Sequence, residues 1–79
     1  MDNRLASILQ DVFRLRPSEV RLDMTRDDVG SWDSLTQMDL VVSLERTFGI
    51  ELAIPDILRM VTVAEIVAVL KGKAVDLAD

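Results

Sequence analysis

Apolar and polar positions alternate along this chain with periods that change from one stretch to the next. Leu5, Ile8, Leu9, Val12 and Phe13 recur at spacings of three and four, which places them on one face of a helix. Asp2 or Asn3 can cap its start, since their side-chain oxygens accept from first-turn amides that have no partner in the helix. Pro17 is expected to end it, because the residue before a proline is pushed out of the helical region. From Pro17 to Asp33 no helical period is sustained. Val20, Leu22 and Met24 alternate with polar residues as a strand would, yet no second strand lies nearby to pair with. The pattern therefore predicts a long loop pinned by these side chains, with Trp32 either its anchor on the core, the favoured reading, or an exposed contact beside Ser34.

Ser34 to Phe48 reads as the widest helix. At roughly 100° per residue, Leu40, Val41, Leu44 and Phe48 gather on one side and face the core. Leu35, Met38 and Val42 form a second stripe, bordered by Asp39 and Arg46 on one edge and Glu45 on the other. One stripe suffices to dock a helix. The second is either covered by later helices or is a docking strip for a partner, with Met38 as its adaptable contact. Gly49 fits the C-cap. Ile50, Leu52 and Ile54 alternate briefly before Pro55, and Pro55 to Met60 can form a short helix. Thr62 and Glu65 make a capping box, with Val61 and Ile66 placed as a hydrophobic staple. The last helix runs to about Lys71, burying Ile66, Val67 and Leu70, and Gly72 stops it. The tail from Lys73 to Asp79 is expected to fray. The sum is an all-α bundle in a single domain over residues 1–79: three longer helices, one short one, and a long first connection.

Composition narrows what such a bundle does. With 49% apolar residues but only Phe13, Trp32 and Phe48 as aromatics, the core must be aliphatic. A net charge of −5, with no basic cluster, excludes nucleic-acid binding and favours partners with basic docking patches. No apolar run is long enough to span a bilayer and no signal-peptide core is present, so the reading is a cytoplasmic protein without membrane contact. The chain has no His and no Cys, which removes Ser-His and Cys-His dyads as well as disulfides. Lys71 and Lys73 sit in or near the tail, and Asp27-Asp28 lacks the spacing of a calcium loop. The expectation is a protein that is not an enzyme by itself.

The candidate chemistry is the hydroxyl of Ser34. Asp33 and Ser34 at a loop-to-helix boundary are ordinary N-caps, and Ser34-Leu35-Thr36-Gln37 fits a capping box. Beyond that, Asp33-Ser34-Leu35, Met38-Asp39-Leu40, Leu44-Glu45 and Phe48-Gly49-Ile50 together resemble the acyl carrier protein family over most of the chain. The resemblance implies an up-down four-helix bundle with a short third helix. It implies 4′-phosphopantetheine attached to Ser34, between Asp33 and Leu35, by a phosphopantetheinyl transferase. It further implies a monomeric carrier whose arm holds an acyl or aminoacyl thioester for loading and accepting enzymes; the second stripe and its borders, Leu35, Met38, Asp39, Val42, Glu45 and Arg46, are the docking surface that the pattern offers them. A phosphodiester there would meet free amides and the positive end of the helix dipole. Thr36, Arg46 and Thr47 stand where carriers of primary fatty acid synthesis commonly have acids. Trp32 replaces a small or acidic residue, and the paired glycines of peptidyl carriers are missing. These departures favour a specialised acyl or polyketide-type pathway over the housekeeping one. The alternatives are an unmodified helical adaptor with Ser34 only a cap, and, more remotely, a carboxylate-based enzyme.

Overall fold

The computed structural model describes residues 1–78. It is all-α, with α1 Asn3–Phe13, α2 Ser34–Phe48, α3 Ile54–Arg59 and α4 Val63–Gly72. Helix α1 packs chiefly on α2, and α3 on α4. Leu5, Leu9 and Phe13 meet Leu40 and Leu44, with Met60, Val63, Ile66 and Leu70 closing the core, and none of these is more than 2% exposed. Phe48 and Val67 are only partly buried against that core. The Arg4 guanidinium lies 4.8 Å from the centroid of the Phe48 ring and shields it.

Local chemistry sets each helix end. Asp2 caps α1, accepting from the amides of Arg4 at 2.8 Å and Leu5 at 3.4 Å. The helix ends before Pro17: Arg14 turns left-handed at φ 55°, and the Leu15 amide returns to the Gln10 carbonyl at 3.0 Å. Gly49 closes α2 at φ 63°, a conformation that costs glycine little. Helix α3 starts one residue before Pro55, with Asp56 accepting from the Ala53 amide at 2.9 Å. Thr62 caps α4 by accepting from the Glu65 amide at 3.0 Å. The Glu65 carboxylate takes the Thr62 hydroxyl at 3.3 Å, so half of the expected capping box forms. Val61, expected as a staple, is left 40% exposed.

The long connection departs from a plain loop. It contains two 3-10 turns, Pro17–Glu19 and Arg26–Asp28. The strand-like stretch does find a partner, in the residues that lead into α4. Thr25 and Thr62 form an isolated antiparallel bridge, the Arg26 amide donates to the Val61 carbonyl at 2.9 Å, and the Val63 amide donates to Met24 at 3.0 Å. That partner is distant in sequence, so the alternation alone could not reveal it. Trp32 is buried as expected, stacked on Phe13 with ring centroids 4.5 Å apart. The Ser31 hydroxyl donates to the Phe13 carbonyl at 2.7 Å and seals the same junction.

The described part of the tail, expected to fray, makes contacts with the bundle. Val75 and Leu77 pack on the core, and the Val75 amide donates to the Leu70 carbonyl at 3.0 Å. The Ala78 amide donates to the Asp2 carboxylate at 2.9 Å, while Arg4 bridges Asp2 at 3.0 Å and the Asp76 carbonyl at 2.8 Å. Asp79 lies outside the described residues. What holds the tail is a carboxylate at the other end of the chain, a link that periodicity does not carry. The Arg4 guanidinium first, and then the Ala78 amide, hold the Asp2 carboxyl well below the usual carboxylate range against the desolvation of burial.

A carboxyl depressed in the folded state contributes stability that is fully present above its unfolded pKa of about 4 and is lost as pH falls toward the folded value. Asp2→Asn should therefore lower stability at neutral pH and flatten the acid limb below about pH 4. Urea denaturation of both proteins across that range measures it, and an unchanged acid limb would show that Asp2 is not the group responsible.

Candidate functional site

Asp33, not Ser34, is the N-cap of α2. Its carboxylate accepts from the Thr36 amide at 2.9 Å, and its own amide donates to the Thr36 hydroxyl at 2.8 Å. The capping box is thus Asp33 with Thr36, one residue earlier than the Ser34–Gln37 pairing expected from the pattern. Gln37 is unavailable to cap because it is needed inside. Its side-chain oxygen accepts from the Trp32 indole N–H at 2.6 Å, and its NH2 donates to the carbonyls of Ile57 at 3.0 Å and Met60 at 3.1 Å. One donor and two acceptors surround the amide, so only this orientation satisfies all of them.

The consequence falls on Ser34. It is the first residue of α2, exposed, and among the described residues its hydroxyl makes no hydrogen bond. Beside it the Thr36 amide, foremost, with smaller help from the Thr36 hydroxyl, the Leu35 amide and the charge of Arg26, holds the Asp33 carboxyl below its ordinary range. Asp33 is therefore anionic at neutral pH. The Ser34 oxygen stands at the electropositive end of a helix of 15 residues.

A shallow groove of about 250 Å³ opens next to this hydroxyl, lined by Arg26, Ser34, Gln37, Met38, Ile57, Leu58 and Val61. The second stripe of α2 is uncovered: Leu35, Met38 and Val42 are 73%, 50% and 42% exposed. Across the groove Ile54, Leu58 and Val61 are open as well. Periodicity missed these three, since Ile54 read as a brief alternation and Val61 as a staple. The available signal was the shortness of α3, none of whose six residues is fully buried. Asp39 and Arg46 are exposed on the stripe's edge. Glu45 is half-buried, and its carboxylate accepts from the Leu52 amide at 2.9 Å, holding the α2–α3 connection. Arg26, which no pattern singled out, enters the groove because its loop is tied to Val61.

Among the described residues no group of acids could hold a metal ion, and no helix is long and apolar enough to cross a membrane. The four helices thus leave an exposed serine at the start of the longest one. The family model described as a phosphopantetheine attachment site matches residues 3–70, and the chain belongs to that family. It is a phosphopantetheine-carrying carrier protein, of a family whose members hold 4′-phosphopantetheine covalently on a serine and work with partner enzymes. No curated protein matches the chain.

The site predicts a contrast between two neighbours. Gln37→Ala strands the indole N–H and the Met60 carbonyl, and a single stranded buried group already costs about 1–3 kcal/mol. Ser34→Ala should stay within about 0.5 kcal/mol, as exposed residues without a partner do. Chemical denaturation of both variants checks the order, and a larger loss at Ser34 would reassign the cap.

Proposed function

We propose that Ser34 is the modified serine and that the chain delivers an acyl or aminoacyl thioester to partner enzymes in a specialised pathway. The observation that carries this reading is the released Ser34 hydroxyl, which Asp33 frees from capping. The other serines suit the role less well. Ser31 is bonded to Phe13, Ser43 is half-buried within α2, and Ser7 and Ser18 do not begin a helix of any length. The residues present fit a phosphodiester at Ser34: the oxygen is accessible, first-turn amides lie next to it, and no side chain must move to expose it.

When bound, phosphopantetheine supplies a flexible arm and a terminal thiol that forms the thioester. The chain's own part is to hold the root of that arm. Gln37 and Trp32 fix the start of α2 to α3 and the loop, so a docked enzyme meets the tethered group at high effective concentration from a constant position. The transferase and the loading and accepting enzymes would rest on the apolar stripe of Leu35, Met38 and Val42, with a basic group meeting Asp39 and an acid meeting Arg46. Glu45, engaged with Leu52, contributes at the margin.

Incubation with coenzyme A and a broad-specificity transferase should add one phosphopantetheinyl mass, and Ser34→Ala should abolish the addition. No added mass, or addition at another serine, would favour an unmodified adaptor that uses the same apolar surface.

Docking has its own test. Met38→Ala should slow acyl transfer while changing stability by less than about 1 kcal/mol, because little buried surface is lost. Leu44→Ala, in the core, should cost about 2–5 kcal/mol. Stability and transfer rates measured side by side decide between them, and a Met38→Ala chain that transfers normally would move the docking surface elsewhere. Arg46→Glu should weaken a partner that offers an acid at that edge.

A further inference from the structure

Among the described residues Arg26 is the only charged side chain lining the groove beside Ser34. Its position follows from the loop, not from a carboxylate. The Arg26 amide donates to the Val61 carbonyl at 2.9 Å, and Nε reaches the Trp32 carbonyl at 3.4 Å. Among the described residues no acid lies within ion-pair distance of its guanidinium. The side chain is half-buried, so part of its hydration is already lost. Of the acids near it in sequence, Asp33 and Asp28 accept backbone amides in their own caps, and Asp27 is exposed and outside ion-pair distance. A guanidinium tethered through Nε, on a backbone fixed to Val61, and with no acid on its terminal nitrogens among the described residues, matches an oxyanion arriving in the same groove.

Resting on the assignment of the arm to Ser34, we propose that Arg26 is the counter-charge for the phosphodiester on that serine. The terminal Nη groups donate to the phosphate oxygens, and the pairing lays the first atoms of the arm into the groove between α2 and α3. Without Arg26, the Asp33 carboxylate next to the attachment point would repel the phosphate and turn the arm toward solvent. The pairing also explains how a helix start with no acid in its first turn and an anionic cap can hold a second anion. The helix dipole alone would have to offset that repulsion, and it acts only over the first turn.

The test uses the full chain, modified by a transferase and coenzyme A and confirmed by intact mass. In 1H–15N spectra the Arg26 Nε–H signal should shift on modification by more than those of Arg21 and Arg59, which lie outside the groove. The 31P resonance of the modified Arg26→Gln chain should differ from that of the wild type, with Arg26→Lys between them. Added salt should shrink the difference, as it does for a half-exposed pair. An unmoved Arg26 signal in a mass-confirmed modified chain, with the same 31P position in Arg26→Gln, would overturn the pairing and leave the Ser34 assignment intact. A chain that takes up no arm would overturn both. The wild-type measurement does not depend on the variants folding.

Discussion

The buried side-chain amide of Gln37 is the interaction on which the arrangement of the site depends. It joins three segments at one point: the end of the long connection through Trp32, the core face of α2, and the exit of α3 through the Ile57 and Met60 carbonyls. A polar side chain that is 6% exposed must be fully satisfied or it destabilises the core. Here it is satisfied in one geometry only. That requirement sets the distance between α2 and α3 and so the width of the groove beside Ser34.

The same requirement divides labour at the start of α2. With Gln37 turned inward, the capping bonds pass to Asp33 and Thr36, and the serine between them is left with nothing to hold. A hydroxyl committed to first-turn amides would have to surrender a hydrogen bond whenever it was modified. Placing the cap one residue upstream separates the stability of the helix from the state of its first side chain. The uncovered apolar residues on either side of the groove then surround that point with surface that a partner can desolvate, at little cost in polar groups.

At the opposite end, Asp2 ties the beginning of α1 to the tail through Arg4 and the Ala78 amide. A small domain has few core contacts to spare, and this latch adds Val75 and Leu77 to the apolar interior. The two polar centres are built differently. Gln37 is neutral and indifferent to pH, whereas Asp2 is a carboxylate whose contribution depends on its charge.

Hydrophobic period, with the caps and prolines, was enough to place α2, α3 and α4 within a residue, though α1 stops at Phe13, short of Pro17, and to separate the two stripes of α2, because burial of one helical face dominates the energetics of each element. Short-range chemistry likewise marked Gly49 and Thr62 as ends, since their partners lie within a turn. Whether the second stripe stayed open was decided only by the tertiary structure, because covering it depended on where a six-residue α3 could reach. So were the pairing of the Met24–Arg26 stretch with Val61 and Val63, the docking of the tail on Asp2, and the exchange of capping duty from Ser34 and Gln37 to Asp33 and Thr36. Each of these turns on a hydrogen bond whose partner is remote in sequence, or on a side chain with two uses, one local and one distant. A local pattern favours the near partner; in Gln37 the buried indole and Met60 carbonyl outweighed it, because among the described residues they have no other partner.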